Sequence, residues 1–465
     1  MRLIAGIQDH LSLHVLTPLS RWQRLARPST SPTLRAFYRG LRLRRQMWSW
    51  DEEQRRQWML DQLRATLRYA YRETVYYREL WDSVGFDPNV EFDFNMFAQL
   101  PVLTREDIHN AGPSLLARSV PKDQLRRDAT GGSTGMPTEI WLGPNERGWN
   151  AGASAFFTES VGVPEGSRTA LLWGHHLDTH ETDSFRERVN ALISNQRWFD
   201  SMRLSSDVLD QYHRELQAWR PACIIAYASA LGQLAEHLID QKLQPLYPTK
   251  CLITGAEKLW SRHREQIQKA FGLPVHERYG GRDIGWVGFQ MNPEDGMAYD
   301  LDWPKTFVEP ETEDRETSIL VTKLQADGMP MIRYRVDDVG RFPVTSRPGH
   351  PTFALEEVLG RVTDRLWLPN ESWISGLHIP HMLKDFPVRE FLLHQLSDYT
   401  IDLKLVPQAD FSRDHERSIL NILKNNLPGL EIRVSLVDRI DRTNKANKWS
   451  PVISEVERGL RKATA

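Results

Sequence analysis

Between residues 205 and 279, short apolar runs alternate with amphipathic helical periods, and this alternation constrains the fold more than any other feature of the chain. Residues 205–220 place Val208, Leu209, Tyr212, Leu216 and Trp219 at helical spacing, 222–227 form a short apolar strand, and 229–243 are helical again. The pattern repeats with a strand at 250–254, a helix at 261–271 and a strand at 274–279. Strands separated in this way pair only through crossovers, so the segment requires a parallel α/β sheet with ligands at the C-terminal strand ends.

The whole chain has 465 residues, room for two or three domains of roughly 100 to 200 residues each. Upstream, Leu60, Leu63, Leu67 and Ala70 mark a helix that starts after Asp51, and Thr104 is a fitting N-cap with Asp107 three residues on. Beyond Gly360 the character changes. Strands at 389–396 and 400–406, a helix at 412–426, a strand at 431–437, a loop at 442–450 and a final helix make a compact α+β domain. The boundary falls near Asp364. The expected division is a basic helical arm (1–49), a nucleotide- and acyl-binding body (50–363) and a C-terminal domain (364–465).

An apolar fraction of 40% with 26% charged residues excludes global disorder, a collagen repeat and a membrane bundle. No window offers the roughly 18 apolar residues of a spanning helix. Gln8, Asp9 and His10 stand where a secretory segment is apolar, so no signal peptide is expected. Cys223 and Cys251 are too few for a disulfide framework or a four-cysteine zinc site, which fits a cytoplasmic setting. Both fall in buried strands, where a thiol acts as a small hydrophobe.

The net charge of -2 conceals an asymmetry. Residues 1–50 carry nine Arg, no Lys and only Asp9, a net of +8, which leaves -10 on the remainder. Two readings stand for this arm. It packs on its own domain as a solvated helical face, or, with Trp22, Phe37, Tyr38, Trp48 and Trp50 interleaved, it makes a peripheral membrane contact. Only thirteen Lys occur in the chain, the first being Lys122, so a lysine in a polar loop stands out.

The sharpest motif is Thr130-Gly131-Gly132-Ser133-Thr134-Gly135. Its glycines let backbone amides approach an anion and its hydroxyls add donors, which suits phosphate oxygens. No Gly-Lys-Ser/Thr closes it, so it is not a Walker loop. Four segments follow in order: Gly255-Ala256-Glu257; Tyr279-Gly280-Gly281-Arg282-Asp283; Asp337-Asp338 ahead of Gly340-Arg341; and Gly360-Arg361 ahead of Asp364. Lys448 then ends the loop Arg442-Thr443-Asn444-Lys445-Ala446-Asn447-Lys448.

This succession resembles the adenylate-forming enzymes, and within them the phenylacetate-CoA ligase family and its capsular polysaccharide biosynthesis relatives. The resemblance runs from about residue 60 to the C-terminus. It implies a large N-terminal body with parallel sheets and flanking helices, plus a small mobile α+β C-terminal domain. It also implies that residues 130–135 hold the β- and γ-phosphates of ATP, that Gly255, Ala256, Glu257 and Gly280 line the adenine pocket, and that Tyr279 stacks on the base. Asp338 would bind the ribose hydroxyls with Arg361 beside it, and Asp364 would be the hinge. Asp283 stands where the family usually shows a Glu near Mg²⁺. Being one methylene shorter, it reaches the ion directly or through water. Asp337 replaces the family's usual Gly, and the sequence offers no reason for the change.

Lys448 is the implied catalytic residue, with Lys445 the competitor because this loop is one residue longer than usual and lacks its Gly. The implied activity is adenylation of a small carboxylic acid with release of pyrophosphate, then transfer of the acyl group to a thiol, foremost coenzyme A. A second reading gives the acyl group to a sugar amine or hydroxyl, or transfers AMP directly to a small molecule. A third is a nucleotide-binding scaffold without catalysis, suggested by Asp283, Asp337 and the altered lysine loop. His175, His176, Asp178 and His180 invite a zinc reading, but loop histidines near the acyl pocket are the plainer one. The sixteen Trp follow no period and imply core and surface anchors, not a nucleic-acid stacking row. Oligomeric state stays open.

Overall fold

Alternating five-residue apolar strands and amphipathic helices build the centre of the molecule. The structure is a computed structural model, and it describes residues 31–129, 138–173, 195–201, 204–259, 261–294, 298–361, 365–369, 373–375, 378–383, 386–440 and 452–456. The chain divides into two compact units. The first runs to Val336 and includes Arg341–Glu357; the second is Asp337–Gly340 with Val358 onward.

In the first unit, helix α1 (Pro32–Met47) starts at Ser31, whose hydroxyl accepts the Leu34 N–H. Helices α2 (Glu52–Glu73) and α3 (Arg105–Ala111) open on capping boxes, Asp51 with Gln54 and Thr104 with Asp107. Strands β1 (Arg126–Ala129) and β2 (Glu139–Leu142) pair antiparallel, Ala129 opposite Glu139, on either side of the Gly/Ser/Thr loop. Helix α4 (Pro144–Ser160) then packs against α1. The crossing is close because Gly148 has no side chain: a Cβ there would collide with the Thr33 carbonyl oxygen.

The main sheet follows. Its strands are β3 (Thr169–Leu172), β4 (Gln196–Phe199), β5 (Cys223–Tyr227), β6 (Cys251–Gly255), β7 (Val275–Gly281), β8 (Gly285–Phe289) and β9 (Tyr299–Leu301), with β13 (Ala354–Leu355) on the edge. Their spatial order is β13-β9-β8-β7-β6-β5-β3-β4. The strands from β4 through β3, β5 and β6 to β7 are parallel, and β8 turns back antiparallel on β7. Helices α5 (Ser206–Trp219), α6 (Ala228–Asp240) and α7 (Ser261–Phe271) make the crossovers. The elements read between residues 205 and 279 are thus present, with boundaries moved by at most three residues.

Both faces of this sheet are covered, as a parallel sheet requires. Ile224, Ala226, Leu252 and Val275 face one core with Leu216, Leu234 and Ile267 of the crossover helices. Cys223, Ile225, Cys251 and Ile253 face the other with Phe37 and Leu41 of α1 and Phe156 and Phe157 of α4. The two cysteines are buried, free and opposite each other in register. Beyond β9, strands β10 (Thr306–Pro310) and β11 (Glu316–Lys323) form an antiparallel pair, and β12 (Tyr334–Arg341) follows.

The second unit holds β14 (Glu357–Arg361), the antiparallel pair β15 (Arg365–Trp367) and β16 (Trp373–Ser375), and a mixed sheet. In that sheet β17 (Val388–Gln395) and β18 (Ile401–Pro407) form the hairpin read from the sequence. It is flanked in parallel by β19 (Ile432–Leu436) and β20 (Val452–Ser454). Helix α8 (Arg413–Asn426) buries Ile419 and Leu423 against it. Gln395, fully buried, accepts from the Trp367 N–H at 2.9 Å and the Ser454 hydroxyl at 2.8 Å and donates to the Trp367 carbonyl at 2.7 Å. That single amide ties three segments together.

Candidate active site

Parallel register aligns the C-terminal ends of the central strands. Tyr227 on β5 stands opposite Gly255 on β6, and Gly255 stands opposite Arg278 on β7. The expected adenine-pocket residues follow these ends. Ala256 has a left-handed backbone, φ 64°. Glu257 accepts the Ser229 N–H at 2.9 Å. Its carboxylate therefore caps the first turn of α6, which has no side-chain cap of its own. Tyr279, 8% exposed, ends the regular part of β7, where a register shift leads to Gly280.

Asp283 lies in the β7–β8 turn and is almost fully buried. Its Oδ2 accepts the Tyr334 hydroxyl at 3.0 Å, and the Arg105 guanidinium stands 3.9 Å away. With one lone carboxylate already partly neutralised, this donor set fits a Mg²⁺ ion that keeps its waters and takes its other ligands from phosphates. Among the described residues no three His, Cys, Asp or Glu side chains group as a metal site. Asp338 is on β12 in the second unit, beside Asp337, whose φ is 63°. A left-handed backbone explains why a Gly suits position 337 and why Asp, one of the side chains that best tolerate that region, replaces it. Arg361 ends β14. The Thr130–Gly135 loop, Asp364, Lys445 and Lys448, and the histidine cluster at 175–180, lie outside the described residues.

Sequence reasoning missed the residue next to Tyr279. Successive strand residues point to opposite faces. Glu277 faces α7, where it accepts from the Leu259 N–H at 3.2 Å and Arg264 at 2.8 Å. Arg278 faces α4. Its guanidinium carbon is 3.8 Å from the Trp286 ring centre and 5.1 Å from that of Trp173, and Trp173 in turn stacks on Tyr227 at 4.2 Å. Arg278 lines a recess with Ser154, Phe157 and Thr158 of α4, Ile253 and Trp286. Burial lowers its pKa from the ordinary 12.5 to about 10, against the weaker pull of Cys223 and Tyr227. The signal was available: His276, Glu277 and Arg278 are three polar residues in a row within a central strand, where apolar runs are the rule.

The fold, with its strand ends aligned, is similar to that of a solved CoA ligase. A solved structure of 2-hydroxyisobutyryl-CoA ligase in the postadenylation state, in complex with R3-HIB-AMP, shares the fold at a TM-score of 0.68 and 18% identity, over 88% of this chain and 91% of that one. No family model matches the chain. By sequence it is 23% identical over 325 residues to phenylacetate-coenzyme A ligase of Pseudomonas putida, covering 67% of this chain and 71% of that protein. It is 20% identical over 321 residues to the protein CapK of Staphylococcus aureus, covering 67% and 70%. In sequence the chain is thus similar to phenylacetate-coenzyme A ligases and to CapK, and in fold to a solved CoA ligase of the adenylate-forming kind.

Proposed function

We propose that the protein activates a carboxylic acid with ATP, releasing pyrophosphate and forming acyl-AMP, and then passes the acyl group to the thiol of coenzyme A. The observation that carries this reading is the alignment of Tyr227, Gly255 and the Tyr279–Asp283 turn at the C-terminal ends of parallel strands, in a chain related to phenylacetate-coenzyme A ligases.

In this reading the loop 130–135 cradles the β- and γ-phosphates and Tyr279 offers its face to adenine beside Gly255, Ala256 and Gly280. Glu257 acts there through the turn it fixes. Asp338, with Arg361, holds the ribose. Asp283 would hold Mg²⁺, directly or through water, and the ion would supply neutralisation of phosphate charge. Residues 50–363 form the body and 364–465 the mobile domain, hinged at Asp364, that brings Lys448 to the reacting groups. Two anions meet when the acid attacks the α-phosphorus, and the Lys448 ammonium offsets the charge that builds on the phosphoryl oxygens.

The CapK relationship favours one second reading, in which the acceptor is an amine or hydroxyl of a sugar or AMP itself is transferred. ATP–pyrophosphate exchange over a panel of aryl, aliphatic and amino acids tests the first half-reaction. Added coenzyme A must then yield a thioester. Exchange without a thioester turns the assignment to the second acceptor class, and absence of exchange with every acid rejects adenylation.

A further inference from the structure

Helix α1 divides the basic N-terminal segment into an inner and an outer half. Phe37, Gly40, Leu41, Arg44 and Met47 are buried against the first unit. The fit is tight: a Cβ at Gly152 would stand 3.1 Å from the Phe37 carbonyl oxygen, and Arg44 is bonded twice to Asp302 at 2.7 Å. The tryptophans that follow are turned inward as well, Trp48 against Phe156 with ring centres 4.8 Å apart and Trp50 against Trp303. Together these contacts fix the rotation of the helix about its own axis.

What that rotation leaves outside is charge. Arg35, Arg39 and Arg42 are exposed and follow one another at four and three residues, so they form one stripe opposite the buried face. A helix face that is merely solvated usually mixes both signs. Helix α1 contains five Arg and no acid, and among the described residues Arg39 and Arg42 pair with no carboxylate. Arg45, to one side of the stripe, pairs with Glu159. Like charges at these spacings repel one another, a strain that an external anion relieves. The planar fork of a guanidinium matches phosphate oxygens in particular.

We propose that this face of α1 docks the protein on an anionic lipid bilayer. A bilayer fits better than a nucleic acid for two reasons. Phe37, Tyr38 and Trp48, rings on which bases could stack, pack in the core shared with α4. The sequence ahead of α1 also puts Leu3, Ile4, Ile7 and Leu11 at helical spacing, with Arg2, Arg21, Arg24 and Arg27 against Asp9 alone. Apolar rows with basic flanks suit the interface of a membrane, and a nucleic acid has no use for them. Because the apolar face of α1 is occupied by its own domain, α1 meets the headgroup phosphates by charge and does not insert. The net of -10 on the rest of the chain keeps other faces away from such a surface.

The test is sedimentation of the full chain with phosphatidylcholine vesicles prepared with or without phosphatidylglycerol. Binding is expected only where phosphatidylglycerol is present, and salt should release it. Arg35→Gln/Arg39→Gln/Arg42→Gln should lower the partition coefficient about 100-fold, at about fivefold for each arginine near such a surface. Arg214→Gln/Lys242→Gln/Lys250→Gln removes as much charge from exposed positions elsewhere in the first unit and should lower it by no more than about threefold. Equal losses in the two triple variants would reduce the effect to net charge and overturn the proposal. Equal binding to both kinds of vesicle, or binding to neither, overturns it too. A duplex oligonucleotide is titrated in parallel: if it binds and the anionic vesicles do not, the partner is a nucleic acid and the proposal fails. Should a triple variant not fold, the single variants Arg39→Gln and Arg42→Gln decide the same question, and no loss in either rejects the docking face.

Discussion

The side chain of Arg278 crosses the backbone of Gly255, so close that a Cβ at position 255 would stand 2.8 Å from the arginine Cγ and 3.1 Å from its Nε. The two residues are partners in register on β6 and β7. Glycine at 255 is therefore tied to the presence of a long side chain at 278, quite apart from any nucleotide. Gly255→Ala should push the guanidinium off its tryptophan faces and cost about 1–3 kcal/mol, the usual scale of overpacking. Chemical denaturation measures the loss. A variant as stable as wild type would show that Arg278 has room to move aside.

Arg44 anchors the basic N-terminal segment. It is the one arginine of α1 with no exposed side-chain surface, held bidentate by Asp302, donating to the Trp149 carbonyl at 3.3 Å and lying 5.0 Å from the Trp149 ring centre. Arg44→Ala leaves Asp302 buried without its counter-charge, which should cost about 3–5 kcal/mol. Truncating Arg45, whose bond to Glu159 is exposed, should cost under about 1 kcal/mol. Urea melts of the two variants side by side check the contrast, and equal losses would contradict it.

The difference between these two arginines marks the limit of what the sequence conveys. Charge counting sees nine arginines and a net of +8, and no local rule says that Arg44 points inward while Arg45 does not. Periodicity did show the crossovers from 205 to 279, because apolar strands and amphipathic helices differ in period over a few residues. It also showed the Thr104 cap, a signal that spans four residues. The pairing of Arg44 with Asp302, or the three segments joined at Gln395, depends on residues tens to hundreds of positions apart and is written in no local pattern. The order of motifs was enough to single out Tyr279, which the structure places at the end of the regular part of β7. Arg278 was not legible, because its place between Trp173 and Trp286 depends on segments far apart in the chain.

Acid should weaken the first unit through His276. Its Nδ1 donates to the Gln290 carbonyl at 2.9 Å, and burial, more than the opposing hydrogen bond, lowers its pKa from the ordinary 6.5. The folded state thus disfavours the imidazolium. Between the lowered folded pKa and about 6.5 the unfolded chain binds more protons, so stability is full above that window and falls as pH drops through it. His276→Asn keeps a donor near the Nδ1 position but cannot titrate. It should flatten the dependence of unfolding free energy on pH below about 6.5. His213 and His350, lowered for the same cause, leave a residual slope. An unchanged slope in His276→Asn would mean that His276 titrates alike in the folded and unfolded states.

Lys448 carries the sharpest kinetic expectation. If its ammonium offsets charge in the adenylation transition state, Lys448→Ala should slow pyrophosphate exchange about 100- to 1000-fold, as removal of one such donor does elsewhere. ATP binding should change little, because the interaction forms chiefly as the α-phosphorus is attacked. Transfer from preformed acyl-AMP should also persist, since its phosphoryl bond is already broken from pyrophosphate. Lys445→Ala, three residues earlier in the same loop, is the internal control and should fall within a few-fold of wild type. Calorimetric ATP titration, exchange rates and single-turnover acyl transfer separate the steps. If Lys445→Ala loses exchange and Lys448→Ala keeps it, the longer loop has shifted the catalytic ammonium by one turn of chain, and the role passes to Lys445.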